Sequence, residues 1–169
     1  MFLYPKLYLN SVKEITLQML EQNNIKGLIL DVDNTLIDFD KKMPEGVKEW
    51  AENLKQNNIK LYIVSNSNHK EKVEKTAKTL DIPYTYFAKK PLKGGLNKAK
   101  KNMELPSEQI AVVGDQIFTD VIGANRAKMF SILVKPINEK DIWVTKIKRP
   151  IENRIIQKKK KNKRWKFLW

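Results

Sequence analysis

Four aspartates, a lysine and several short polar side chains stand where one chemistry could use them together. Asp31, Asp33 and Thr35 alternate in the run Asp31-Val32-Asp33-Asn34-Thr35, directly after the apolar stretch from Gly27 to Leu30. Ser65, Asn66 and Ser67 follow the stretch from Ile59 to Val64. Lys90 precedes Pro91 just after Tyr84 to Phe87, and Gly114-Asp115 closes Ile110 to Val113 with Asp120 five residues on. Carboxylates, hydroxyls and a lysine suit a hard cation and a phosphate: Mg2+ takes a few carboxylates and keeps water and substrate oxygens, and an ammonium neutralises phosphate as a point charge. Composition removes other chemistries. Without cysteine there is no disulfide and no thiolate-held zinc or iron–sulfur centre, and the single histidine, His69, cannot build a multi-histidine metal site.

The same apolar stretches, with Ser131 to Val134 as a fifth, are the elements that must position these groups. Most of them show little alternation, as strands covered on both faces do, and amphipathic segments separate them. The fold class is therefore α/β, with a parallel five-stranded sheet. Helices are expected from Pro44, which suits a first helical position, with Val47, Trp50, Ala51 and Leu54 inward, and then over His69 to Leu80. Two more are expected, from Gly94-Gly95 to Met103 and from Thr119 to Lys128. Ahead of the first strand, Ser11 and Glu14 read as a capping box on a helix from Ser11 to Asn23. In open α/β sheets ligands bind beyond the carboxyl ends of the strands, where the polar residues of this chain lie.

A chain of 169 residues suits one domain. No apolar run approaches the roughly 20 residues of a spanning helix, and the start lacks the pattern of a signal peptide, so a cytoplasmic protein is expected. Charge is unevenly spread. Of the net +14, residues 146–169 carry +10, from eleven Lys or Arg against Glu152, and residues 1–145 carry +4. The chain thus divides into a nearly balanced domain, 1–145, and a basic amphiphilic tail, 146–169.

Asp31-x-Asp33-x-Thr35, an apolar strand ending in Ser65, Lys90 before Pro91, and Gly114-Asp115 with Asp120, in this order and each after a strand, resemble the motifs of the haloacid dehalogenase (HAD) superfamily of phosphatases. The resemblance implies a HAD-like Rossmannoid fold of three layers and roles for each residue. Asp31 is the implied nucleophile, forming an aspartyl-phosphate, and Asp33 the general acid and then base. Thr35, Ser65 and Asn66 are implied to hold phosphoryl oxygens, and Lys90 to offset negative charge. Asp31, Asp115 and the backbone carbonyl of Asp33 are the implied Mg2+ ligands, with Asp120 behind them, orienting metal-bound water or Lys90.

Within that superfamily the chain resembles the YqeG-type phosphatases of subfamily IIIA, related to mitochondrial phosphatidylglycerophosphate phosphatases. The likeness rests on Pro5 with Leu7-Tyr8, Ile25-Lys26-Gly27, the segment from Gly114 to Val121, Gly123 with Asn125-Arg126, and Thr145 with Arg149 to Arg154. It departs at Lys148-Arg149-Pro150, where an Asn-Arg pair is expected. Neither usual insertion point has room for a cap domain, since about eight residues part Thr35 from Pro44 and Lys90 comes three positions after Phe87. An open site suits a large substrate. The tail's Lys158 to Lys161 and Arg164-Trp165-Lys166-Phe167-Leu168-Trp169 read as an anchor for an anionic membrane surface, with nucleic acid the less favoured partner. A Mg2+-dependent phosphatidylglycerophosphate phosphatase, peripheral on the inner membrane face, is the leading expectation. The alternatives are a phosphatase for a nucleic-acid end or phosphoprotein, and a non-catalytic RNA-binding or assembly protein on the same scaffold.

Overall fold

The computed structural model describes residues 3–138 together with residues 154 and 157. The tail expected over 146–169 and the late Thr145 to Arg154 segment otherwise lie outside the described residues; Arg154 and Gln157 are helical and exposed. Among the described residues no helix is long and apolar enough to cross a membrane.

The sheet is parallel throughout and has six strands in the order β1-β6-β5-β2-β3-β4. They are β1 (Leu7–Leu9), β2 (Gly27–Leu30), β3 (Lys60–Val64), β4 (Tyr84–Thr85), β5 (Ile110–Gly114) and β6 (Phe130–Val134). The helices are α1 (Leu17–Gln22), α2 (Val47–Gln56), α3 (Lys70–Leu80), α4 (Gly94–Met103) and α5 (Ile122–Arg126). β2 and β5, at the centre, are buried at every position because both sheet faces are covered. On one face Leu28, Leu30 and Ile63 pack with Leu20, Leu54, Val73 and Ala77 from α1, α2 and α3. On the other, Ile29, Tyr62, Val64 and Val112 pack with Leu96, Ala99 and Ala124 from α4 and α5. These are the three layers expected. No cap domain stands among the described residues.

Several local expectations are corrected. The sheet gains a sixth strand, β1, which pairs Leu7, Tyr8 and Leu9 with Ile132, Leu133 and Val134. β4 is only Tyr84–Thr85, because Phe87 turns to a φ of 49°. The helix expected from Ser11 to Asn23 is broken in two, a 3-10 turn over Val12–Glu14 and then α1 capped by Thr16. Ile15 interrupts it: its side chain is buried and its carbonyl accepts the indole N–H of Trp50 at 3.0 Å, which holds the backbone extended. Glu14 accordingly accepts from the N–H of Asn10, at 2.8 Å, so the box expected with Ser11 is off by one residue. α2 starts at Val47 after a left-handed Gly46, three residues past Pro44. The helix expected from Thr119 opens as a π-helical turn, Ile117–Val121, before α5.

Candidate active site

From β2 the chain crosses to β3 and β4 on one side of the sheet and then returns to β5 and β6 on the other. The loops after β2 and β5 therefore part, and open the crevice in which such sheets bind ligands. Asp31 follows β2 and Asp115 lies just beyond β5; Ser65 follows β3, and Lys90 comes from the loop between β4 and α4. Past Val32 the chain turns back at once, with the N–H groups of Thr35, Leu36 and Ile37 all donating to the Val32 carbonyl and Asn34 at a φ of 60°. Leu36 and Ile37 are buried and pin that turn to the core.

Lys90 is the centre of the constellation. Its Nζ donates to Oδ1 of Asp31 and to Oδ1 of Asp120, each at 2.7 Å, and it is the one buried lysine among the described residues. Its neighbours face outward: Lys89 holds its ammonium 4.9 Å from the centre of the Phe87 ring, and Lys93 is exposed. Asn66 secures the Lys90 backbone, its Nδ2 donating to the Lys90 carbonyl at 2.9 Å and its Oδ1 accepting from the Lys90 N–H at 2.6 Å. The amide expected on substrate is thus committed, at both ends, to placing Lys90.

Asp120 projects from the π-helical turn, a distortion that recurs at functional sites. Its Oδ2 accepts from the Gln116 N–H at 3.2 Å and the Thr119 hydroxyl at 3.3 Å, and its other oxygen holds Lys90. Gly114 makes the space: a Cβ there would stand 2.2 Å from the Asp120 carboxyl carbon. Of the two expected tasks for Asp120, orienting Lys90 is the one its contacts fit.

Asp31, Asp115 and Asp120 are all buried, and their ligand oxygens lie within 4.8 Å of one another. Burial pushes the Asp31 carboxyl up, to about 7, against the pull of Lys90; the charges of Asp120 and Asp33 add to the rise. Burial alone would lower the Lys90 pKa, but Asp120 and Asp31 outweigh it and hold it above the usual lysine value. Three buried carboxylates around one buried ammonium leave a deficit of positive charge, and the donors are oxygens only. That donor set fits a hard divalent cation. Asp31, Asp115 and Asp120 could hold it, and Asp120 is the one of them that also accepts from Lys90, Gln116 and Thr119.

Two hydroxyls line the same crevice. Thr35 Oγ1 is buried with no hydrogen-bond partner among the described residues, and an orphan of this kind costs about 1–3 kcal/mol unless a ligand fills it. Ser65 Oγ accepts from the Ser67 N–H at 3.1 Å, which leaves its own proton to donate. Asp33 is the outlier. Its side chain is 44% exposed and leans toward α3, where Lys72 Nζ lies 2.5 Å from Oδ1. Lys72 carries no signal in the sequence that separates it from surface residues, while Gln116 and Thr119 fall in the segment that carries the family likeness without a role of their own. His69 stands exposed at the start of α3, and Asp38 accepts from the Lys42 N–H within its own loop, away from this chemistry.

Comparison with known proteins agrees with this geometry. Residues 1–137 match the family model described as mitochondrial PGP phosphatase. Over 167 residues the chain is 38% identical to the probable phosphatase YqeG of Bacillus subtilis, covering 97% of this chain and 96% of that one. It is 27% identical over 142 residues to the chloroplastic phosphatidylglycerophosphate phosphatase 1 of Chlamydomonas reinhardtii, covering 79% of this chain but 53% of that protein. Among solved structures, the cobalt-bound deoxy-D-mannose-octulosonate 8-phosphate phosphatase of Haemophilus influenzae superposes with a TM-score of 0.55 at 16% identity, over 81% of this chain and 90% of that one, which is a likeness of fold.

Proposed function

The chain belongs to the mitochondrial PGP phosphatase family, and from that membership we propose that it removes the terminal phosphate of phosphatidylglycerophosphate at a membrane surface. It is a HAD-type phosphatase. The observation that carries the finer reading is the buried group of Asp31, Asp115, Asp120 and Lys90 at the end of an uncapped sheet, in a chain whose first 137 residues match that family.

In the proposed reaction Asp31 attacks phosphorus and forms an aspartyl-phosphate, while the alkoxide leaves and takes a proton from Asp33. Asp33 then draws a proton from water, which attacks the acyl phosphate and frees inorganic phosphate and Asp31. Lys90, held by Asp120 and Asn66, offsets charge on the transferring phosphoryl group, and Thr35 and Ser65 donate to its oxygens. Mg2+ bound by Asp31 and Asp115 would supply further neutralisation of that charge and keep Asp31 ionised.

The mouth of the site supports a lipid interface. Phe39, Phe87 and Leu92 are large apolar side chains left exposed, and all belong to loops at the carboxyl edge of the sheet. Exposed Lys41, Lys89 and Lys93 stand beside them in sequence, with Asp40 the opposing charge. Apolar tips among lysines suit the headgroup region of an anionic bilayer. Ile137 and Asn138, which end the described stretch 3–138, also lie at this edge, since the Ile137 N–H donates to the Asn34 carbonyl at 3.0 Å and the Asn138 N–H to Asn34 Oδ1 at 3.3 Å.

The test is phosphate release with Mg2+ from phosphatidylglycerophosphate in mixed micelles, beside nucleotides and phosphopeptides. Preferred turnover of the lipid is expected. Turnover of nucleotides or phosphopeptides with none of the lipid would sink the substrate assignment.

A further inference from the structure

Asp33 has two tasks in the proposed reaction and the most open surroundings of the groups that share it. It gives a proton to the leaving oxygen and then takes one from water, yet its side chain is 44% exposed, while Asp31, Val32 and Thr35 around it are buried. The backbone here is tied down. The Asn34 N–H donates to the Ile37 carbonyl at 2.9 Å, and the Asn34 carbonyl and Oδ1 accept from the N–H groups of Ile137 and Asn138. What remains free is the side-chain torsion of Asp33. A carboxylate on a fixed turn has several staggered positions open to it, and only those facing the leaving oxygen serve the reaction.

Lys72 narrows that choice. Among the described residues it is the one side-chain partner of the Asp33 carboxylate, with Nζ 2.5 Å from Oδ1. On α3 it lies one turn before the buried Thr76 and beside the buried Val73, so its stem continues the covered stripe of the helix and only 14% of the side chain is exposed. Lys70, Lys75 and Lys78 of the same helix are exposed. A lysine whose stem is covered presents its ammonium with little freedom of its own, so it can fix the group that it pairs with. Lys90 cannot share this task, since it is held between Asp31 and Asp120. We propose that Lys72 is a positioning residue for the general acid and base. It holds the Asp33 carboxyl by one oxygen, so that the other faces the leaving group in the first step and the attacking water in the second. The hold persists through both steps, because a carboxyl that carries a proton on one oxygen still accepts a hydrogen bond on the other. This inference rests on the phosphatase reading above.

The experiment follows single turnovers with Mg2+ and enzyme in excess, on two esters that differ in their need for a proton. Glycerol 3-phosphate loses an alkoxide, which must be protonated as it leaves; p-nitrophenyl phosphate loses a stable phenolate, which need not be. In Lys72→Met, release of glycerol should slow about tenfold or more, a share of the roughly 10²–10⁴ that general acid–base catalysis supplies. Release of p-nitrophenolate, and the half-saturating enzyme concentration for either ester, should stay within about twofold of wild type. Lys72→Arg, which keeps a cation beside Asp33, should slow glycerol release less than Lys72→Met does. In Asp33→Asn, already slow on glycerol 3-phosphate, adding Lys72→Met should cost less than about twofold more, because Lys72 acts through Asp33. Equal slowing on both esters would overturn the proposal in favour of a general role in the fold of the site, which melting curves would also register. No slowing on either would make Lys72 a surface residue, and an undiminished loss in the Asp33→Asn background would show that it acts without Asp33. Wild type that releases phosphate from neither ester nor from micellar phosphatidylglycerophosphate sinks the phosphatase reading itself, and this inference with it.

Discussion

A Cβ on Gly114 would stand 2.2 Å from the carboxyl carbon of Asp120 and 2.6 Å from its Cβ, so even alanine must displace that side chain. Asp120 is the anchor of Lys90, and a displaced Lys90 no longer faces Asp31. Gly114→Ala should therefore lower kcat by about 10²-fold or more, the scale of losing one preorganised charge-stabilising group, while leaving the fold intact by circular dichroism. Asp31 allows a second test at this scale. Its carboxyl shifts from 3.8 to about 7 on folding, so between those values the folded state binds more protons than the unfolded. Stability from this group is full below the lower value and is lost as pH rises through the higher one. Melting temperature of metal-free protein should fall over that window, and Asp31→Asn, which does not titrate, should flatten the fall. Mg2+ should restore stability most at the upper end, where Asp31 is ionised. An equal slope in the variant would remove Asp31 as its source. The aspartates, Thr35, Ser65 and Lys90 were legible in the sequence because their chemistry dictates both residue type and position after a strand. Lys72 was not, since a lysine on a polar helix reads the same whether it meets water or Asp33. Nor was the task of Asn66, whose amide fits a phosphate or a peptide group equally well.

Elements were readable where the pattern is local and repeated, and obscure where a distant partner decides. α3 and α4 match the sequence expectation because apolar residues recur at helical spacing and a glycine pair opens α4. β1 escaped notice because three residues carry no period of their own; its strand state exists through pairing with β6, some 125 positions away. The break at Ile15 is likewise imposed by Trp50, from α2. Another close fit between elements is that of α4 on β3 and the loop after β4. A Cβ on Gly95 would approach Ala88 Cβ to 2.7 Å and Val64 Cγ1 to 3.0 Å, and Ala88 leads directly into the Lys90 loop. Gly95→Val should cost about 1–3 kcal/mol, the usual range for overpacking. It should lower kcat as well, because α4 can retreat only by dragging the loop that carries Lys90. A loss of melting temperature with kcat intact would show that the loop is placed independently of α4.

Across the whole molecule, charge and chemistry are segregated. The net +14 of the chain is mostly carried by residues 146–169, while the domain keeps its buried acids at one edge of the sheet. Ile137 and Asn138, the last residues of the described stretch 3–138, bond to Asn34, between Asp33 and Thr35, at the mouth of the site. We propose that an anionic bilayer engages the basic residues of 146–169 and the face bearing Phe39, Phe87 and Leu92 together. Each Lys or Arg near such a surface contributes about 1 kcal/mol, and ending the chain after Gln157 removes seven of them together with Trp165 and Trp169. The truncated protein should no longer pellet with phosphatidylglycerol vesicles at physiological salt, and its rate on micellar phosphatidylglycerophosphate should fall with the lost encounter. Hydrolysis of a small soluble ester should be unchanged, because the residues of the candidate site all lie before the cut. Pelleting that survives the truncation would move membrane binding to the loops of the domain, and a parallel loss on the soluble ester would mean that the tail is part of the active site.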